Sequence, residues 1–164
     1  MSRTGIGWDS HRLEEGRRMV LGGVEIAGAK RGLAGFSDAD VLTHAVIDAV
    51  LGAAGLGDIG RHFPDTDERW RDADSIELLR TARGLVAQAG LAPLSVDATV
   101  ACESPKLDPH RDDMRARIAE ALELDRDAVN VKFTTGEGMG FVGRGEGVAA
   151  LAVATLSGEG DRDG

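Results

Sequence analysis

The chain has one cysteine, four prolines, no tyrosine and only 4% aromatic residues across 164 positions. Each scarcity excludes something. The single cysteine, Cys102, leaves no internal disulfide and fits a reducing compartment, so a cytoplasmic location is expected. No apolar run is long enough to span a bilayer, so no membrane partner is expected. No basic stretch followed by an apolar one opens the chain as a secretory signal does. Positive charge is also short: 19 Lys and Arg face 28 Asp and Glu, for a net charge of −9. That balance argues against a nucleic-acid surface. An anionic substrate would need cations concentrated locally, as metal ions or a few well-placed Lys and Arg.

What the chain has instead is glycine, 23 of its residues, and an apolar content of 42%. The glycines imply tight turns and close backbone approaches. The length suits a single domain with a sizeable core, expected over residues 1–157, with a flexible Gly/Asp-rich tail over 158–164. Arg3 to Asp9 reads as a first strand. Met19 to Leu21 and Val24 to Ile26 read as a hairpin around Gly22-Gly23. Ser37 or Asp38 is expected to cap a helix running to about Gly55. Asp58 to Asp67 reads as a loop. Asp74 or Ser75 caps a second helix to Ala89, and Pro109 opens a third that ends near Leu124. Leu94 to Ala101 and Val129 to Thr134 are strand-like. Val148 to Leu156 is apolar without clear alternation, and its length favours a buried strand. The expected fold class is α/β: a roughly four-stranded sheet with helices on one side.

The candidate chemistry begins at Asp9-Ser10-His11. A spacing of two puts Asp9 and His11 on one face of a strand. His44 falls near the start of the first expected helix. Two imidazoles and a carboxylate suit a tetrahedral metal with its fourth position open to substrate. The alternative is a buried Asp–His pair without metal. Asp40, His44 and Asp48 are spaced four apart on one helix face, so either acid could orient the His44 ring. A second cluster, Thr134-Thr135-Gly136-Glu137, ends a strand with hydroxyls, backbone N–H groups and a carboxylate. Such a loop suits phosphate oxygens and a Mg²⁺ ion. Arg144 offers a bidentate fork for phosphate, or a surface ion pair with Glu146. Cys102 reads as a small buried apolar residue. His62 reads as solvated.

Six segments in order carry a resemblance: Gly5-Ile6-Gly7-Trp8-Asp9-Ser10-His11, Ser37-Asp38-Ala39-Asp40-Val41, Leu56-Gly57-Asp58-Ile59-Gly60, Phe63-Pro64-Asp65-Thr66-Asp67, Ser104-Pro105-Lys106 and Gly140 to Gly147. Together, over residues 3 to about 157, the chain resembles the 2-C-methyl-D-erythritol 2,4-cyclodiphosphate synthases of non-mevalonate isoprenoid biosynthesis. The resemblance implies a homotrimer around a three-fold axis. It implies Zn²⁺ or another divalent ion on Asp9, His11 and His44, and Mg²⁺ or Mn²⁺ held by Glu137 between the substrate phosphates. It implies a small nucleotide substrate, 4-diphosphocytidyl-2-C-methyl-D-erythritol 2-phosphate, cyclised with loss of CMP by a phosphorus–oxygen lyase.

The same resemblance distributes the substrate contacts. Asp58, Ile59, Gly60, Phe63, Pro64, Asp65, Thr66 and Asp67 would cover the methylerythritol. Cys102, Glu103, Ser104, Pro105, Lys106, Leu107 and Asp108 would wrap the cytidine, with Lys106 near the phosphates. Thr134, Thr135, Gly136 and Glu137 would meet the phosphates, with Thr135 orienting them, and Phe141 and Arg144 would lie nearby. Asp9, Ser10 and His11 would reach substrate beside the metal. Relatives commonly carry His where this chain has Phe36. A phenyl ring neither donates a hydrogen bond nor carries charge. Phe36 and Ser37 are therefore expected as substrate contacts, with Ser37 able to take over a catalytic part. Two other functions fit the same residues: a zinc hydrolase of nucleoside diphosphate esters with Asp40 as base, and a trimeric scaffold binding metal or isoprenoid.

Overall fold

A computed structural model describes residues 1–158. The first strand, β1 (Ser2–Glu15), is longer than the sequence suggested. It alternates strictly. Gly5, Gly7, Asp9, His11 and Leu13 point to one face, and Ile6, Trp8 and Ser10 to the other. The glycines have a packing reason. A Cβ at Gly5 would collide with the backbone of Ala49 and Ala53, and one at Gly7 with the backbone of Ala45. The helix that carries those alanines, α1 (Val41–Ala54), lies directly on the strand. Only a residue without a side chain allows that approach.

A hairpin follows, β2 (Val20–Leu21) against β3 (Val24–Glu25). Gly22 and Gly23 both take positive φ, as a two-residue type I′ turn requires. A short strand, β4 (Arg31–Leu33), then pairs with the end of β1. After α1 come a single helical turn, α2 (Ile59–His62), and α3 (Ser75–Gln88). The rest is β5 (Leu91–Ala101), α4 (Arg111–Leu122), β6 (Val129–Thr134), another single turn, α5 (Gly140–Gly143), and β7 (Gly147–Gly158).

The sheet has five strands in the order β4-β1-β7-β5-β6, one more than expected. The extra strand is β4, whose three residues are too few to show periodicity in sequence. Only β5 and β6 run parallel, joined through α4; the other pairings are antiparallel. The apolar run near the C-terminus is β7, the central strand. It extends to Gly158, which pairs with Leu91, so residue 158 belongs to the sheet and not to the expected tail. Residues 159–164 of that tail lie outside the described residues.

Helices cover one side of the sheet. Helix α1 packs on β1, β7 and β5, α3 packs on α1 and β5, and α4 packs on α3 and β6. Sandwiched this way, α1 is apolar nearly all round, as a helix buried on both sides must be. Leu42, Ile47 and Leu51 are fully buried. Each such side chain contributes about 1.5–3 kcal/mol relative to exposure. The opposite side of the sheet carries Ile6, Trp8, Leu151 and Val153, which stay exposed. No helix among the described residues is long and apolar enough to cross a membrane.

The α1 cap differs from both expected candidates. Asp40 is the N-cap, and it is fully buried. Its carboxylate accepts from Thr43 N at 2.9 Å, Thr43 Oγ1 at 2.8 Å, Gly22 N at 2.8 Å and Gly23 N at 2.7 Å. One side chain thus caps the helix and ties it to the hairpin turn. Gly55 closes α1 in the left-handed region as expected. Asp74 caps α3, and α4 begins at Arg111 after a 3₁₀ turn over Asp108–His110.

Candidate active site

Asp9 and His11, two apart on β1, meet His44 from the first turns of α1. Asp9 Oδ2 lies 2.9 Å from His11 Nε2 and 3.1 Å from His44 Nδ1. The two ring nitrogens are 3.2 Å apart. The three atoms converge on one point, a group that could hold a metal ion. Charge fits the geometry. Burial works to raise the Asp9 pKa, but hydrogen bonds from His11 and His44 outweigh it and hold the carboxyl well below its usual range. Burial disfavours the His11 cation, yet the hydrogen bond and charge of Asp9 raise its pKa overall.

The far side of each ring is also engaged. His11 Nδ1 is 2.8 Å from the Ala34 carbonyl oxygen, which can only accept, so Nδ1 carries a proton and donates it. That leaves Nε2 as the atom able to ligate a metal. His44 Nε2 is 2.8 Å from Ser75 Oγ and 3.1 Å from Ser37 Oγ. Neither acid expected to orient His44 does so. Asp40 spends its oxygens on the hairpin and the helix cap, and Asp48 accepts from Ile59 N at 2.8 Å, anchoring the next loop. Asp40 has no exposed surface, so it is unavailable as the general base of a hydrolase.

The three converging atoms form one wall of a cleft of about 530 Å³. Phe36, Ser37, Ile59, Gly60, Phe63, Pro64, Asp65 and Thr66, all among the residues singled out in the sequence, line it. Gly35, Trp70 and Leu78 line it too, and sequence reasoning missed them. Trp70 meets Phe63 edge-on with ring centroids 5.1 Å apart. Asp58 and Asp67 do not line the cleft. Asp58 caps α2 through Arg61 N, and Asp67 pairs with Arg69 at 2.6 Å. His62 is not simply solvated; its Nε2 is 2.8 Å from the Leu56 carbonyl oxygen.

The remaining predicted residues gather elsewhere. Residues 102–108 and 134–137 meet at the ends of β5 and β6, where Cys102 N donates to Thr134 O at 2.9 Å. None of them lines the cleft. Through β7, Asp9 is level with Val100, two strand spacings away, and with Phe133, three strand spacings or about 14 Å away, on the same end of the sheet. Glu103 accepts from Gly136 N at 2.7 Å and Gly138 N at 3.2 Å, so those N–H groups, expected for phosphate, are already occupied. Thr135 Oγ1 donates to Glu137 Oε1 at 3.2 Å and accepts from Glu137 N at 3.2 Å.

In the 102–108 segment the Ser104–Pro105 peptide is cis and Leu107 is buried. Asp108 pairs with Arg111 at 2.6 Å, and Lys106 is exposed. Burial pushes the Cys102 thiol up to about 11, which agrees with its reading as a packed apolar group. Arg144 and Glu146 form the expected exposed pair at 3.0 Å. Ser10 faces away from Asp9 and His11 and lines a small pocket with Phe141 and Glu146.

Known proteins resemble this chain in sequence and fold. A model of the YgbB family matches residues 2–157. A 2-C-methyl-D-erythritol 2,4-cyclodiphosphate synthase from Salinibacter ruber is 63% identical over 154 residues, covering 94% of this chain and 98% of that protein. A CDP-bound structure of a synthase of that name superposes with a TM-score of 0.86 at 41% identity, over 94% of this chain and all of the other. A bifunctional IspDF from Campylobacter jejuni superposes with a TM-score of 0.92 at 44% identity over 96% of this chain, which spans only 42% of that longer protein. With the family model matching nearly the whole chain and the relatives in agreement, this chain belongs to the YgbB family.

Proposed function

We propose that the chain is a 2-C-methyl-D-erythritol 2,4-cyclodiphosphate synthase acting in the cytoplasm. It would convert 4-diphosphocytidyl-2-C-methyl-D-erythritol 2-phosphate to the cyclic diphosphate and CMP. An oxygen of the 2-phosphate attacks the β-phosphorus. A new P–O bond closes the ring as the bond to CMP breaks, and CMP leaves with the electron pair. The nucleophile is already anionic, so no strong base is needed. The protein's main task is to fold a flexible polyanion so that attack is in line.

The observation that carries this reading is the convergence of Asp9, His11 and His44 on a cleft walled by residues 59–66. Those three residues would hold Zn²⁺ or another divalent ion, which supplies Lewis-acid polarisation of a phosphoryl oxygen. Glu137 would help hold Mg²⁺ or Mn²⁺ at the diphosphate, with Thr135 orienting the phosphates. The loop carrying Asp65 and Thr66 would hold the methylerythritol hydroxyls. Lys106 and its neighbours would bind the cytidine end. Ser37, whose hydroxyl lines the cleft 3.1 Å from His44 Nε2, would take the catalytic contact that Phe36 cannot make.

Two half-sites, a cleft on one edge of the sheet and a phosphate and cytidine segment near the other, favour completion by a second copy. A closed homotrimer would create three equal sites and cover the apolar face at Ile6, Trp8, Leu151 and Val153. The test is ³¹P NMR of the diphosphocytidyl substrate incubated with the protein, zinc and magnesium. Cyclic diphosphate with stoichiometric CMP is expected; a ring-opened hydrolysis product or unchanged substrate would overturn the reading.

A further inference from the structure

Ser75 opens α3, 31 residues from His44, yet its hydroxyl lies 2.8 Å from His44 Nε2. The same serine is gripped by Asp38. The Asp38 carboxylate accepts from Ser75 N at 2.9 Å and from the Ser75 hydroxyl through its other oxygen. A serine has one hydroxyl proton, and a carboxylate can only accept. The proton therefore goes to Asp38, and Ser75 Oγ meets His44 with a lone pair. His44 must then carry its own proton on Nε2. In the neutral ring, the form that ligates a metal, this leaves Nδ1 bare, and Nδ1 is the atom facing Asp9 Oδ2 and His11 Nε2.

We propose that Ser75 and Asp38 are positioning residues for the metal centre. By fixing the proton on His44 Nε2 they keep Nδ1 available as a ligand atom. Ser75 is fully buried, so no bulk water competes for the bond. Ser37 Oγ, at 3.1 Å and already accepting from Ala39 N at 3.3 Å, is the weaker second partner. The arrangement parallels metal-ligand histidines whose other ring nitrogen is hydrogen-bonded, an interaction typically worth about 10–100-fold in metal affinity.

The inference rests on the metal-centre reading, and the variants separate the two. In Asp38→Asn the shape is kept, but the amide can donate to Ser75 Oγ. That turns the serine proton toward His44 Nε2 and favours the opposite tautomer. Zinc affinity, measured by competition with a chromophoric chelator, should fall about 10–100-fold in Asp38→Asn and Ser75→Ala. It should fall further in His44→Ala. If neither the unaltered protein nor His44→Ala binds zinc, the metal centre itself is wrong. If the unaltered protein binds, His44→Ala does not, and Asp38→Asn binds normally, only the positioning role is overturned. Long-range ¹H–¹⁵N spectra of the zinc-loaded, unaltered protein give a check independent of any variant's folding. The His44 proton should sit on Nε2, and a proton on Nδ1 overturns the proposal.

Discussion

The Arg71 guanidinium stacks over the Phe36 ring at 4.7 Å. Phe36 lines the cleft, so the chain rests a cation on a phenyl ring there. Arg71 is also held by Glu68, with hydrogen bonds of 2.6 and 2.8 Å. The stack contributes about 0.5–1 kcal/mol at an exposed site. Phe36→Ala should therefore leave the melting temperature almost unchanged and raise KM with little effect on kcat. Phe36→His would add one charge-assisted hydrogen bond to a phosphate, worth roughly 1.5–3 kcal/mol where it forms. It should raise kcat modestly or leave it flat. Steady-state kinetics on both variants decides the matter; a thousandfold loss of kcat in Phe36→Ala at constant KM would contradict it.

His44→Ala should remove bound metal and activity while α1 survives. Alanine is a good helix former, and the cap at Asp40 and the close at Gly55 are untouched. The truncation leaves Ser75 and Asp9 short of a partner, at a cost of about 1–3 kcal/mol. Elemental analysis should find metal well below one ion per chain beside a near-normal circular dichroism spectrum. Full occupancy with normal turnover would be incompatible with the ligand assignment.

The Asp9–His11 pair predicts opposite pH trends for the two forms of the protein. The His11 pKa is raised above its ordinary 6.5 by Asp9, so the stability it adds to the metal-free fold is fully present below 6.5 and lost as pH rises through the raised value. The Asp9 pKa is depressed, so its contribution is present above 3.8 and lost only in strong acid. Metal binding requires His11 Nε2 to lose its proton, so zinc affinity should rise over the same alkaline interval and then level. Melting curves at a series of pH values should show the chelator-treated protein weakening from about neutral pH upward while the zinc-loaded protein gains. Parallel trends would show that His11 is not the group being displaced.

Much of this site was legible because its parts obey local rules. The two-residue spacing of Asp9 and His11 fixes a shared face on any strand. The paired glycines announce their hairpin, and Gly55 its helix end. That Asp40, and not the expected Ser37 or Asp38, caps the helix was not legible. All three are good caps, and tertiary partners decide: Ser75 takes Asp38, while the hairpin turn and Thr43 take Asp40. The Ser75–His44 contact was hidden for the same reason. It depends on how two helices dock, and nothing at either position signals the other. Glu103 on Gly136 and Gly138 joins two strand-end loops that meet only through the parallel pairing of β5 and β6.

Gly7→Ala tests the link from packing to chemistry. The added methyl would press on the α1 backbone at Ala45, next to His44, the proposed ligand. Helix and strand must part, because the methyl would lie 1.9 Å from the Ala45 carbonyl oxygen, and the cost is at least the roughly 1–3 kcal/mol usual for overpacking. The same displacement moves His44 away from Asp9 and His11. Zinc affinity should therefore fall together with the melting temperature, unlike an overpacking change remote from α1. A variant that lost stability but bound zinc normally would show that the helix can shift without carrying its ligand.

Complementation tests whether copies share the site. His44→Ala destroys the cleft half and Lys106→Ala the cytidine half, so each variant alone should be nearly inactive. If every site joins the cleft of one copy to the 102–108 segment of its neighbour, mixed trimers contain sites with both residues intact. That requires the cleft from a Lys106→Ala chain and the other half from a His44→Ala chain. With equal co-expression and random assembly in a closed ring, about one site in four meets the condition. Activity near a quarter of the unaltered enzyme is expected from co-expressed, co-purified variants. Separately purified variants, mixed without exchange of subunits, should stay inactive, which controls for residual single-variant turnover. If each chain completed its own site, co-expression would restore nothing. A stable, fully active monomer in light scattering would likewise rule out a site shared between copies.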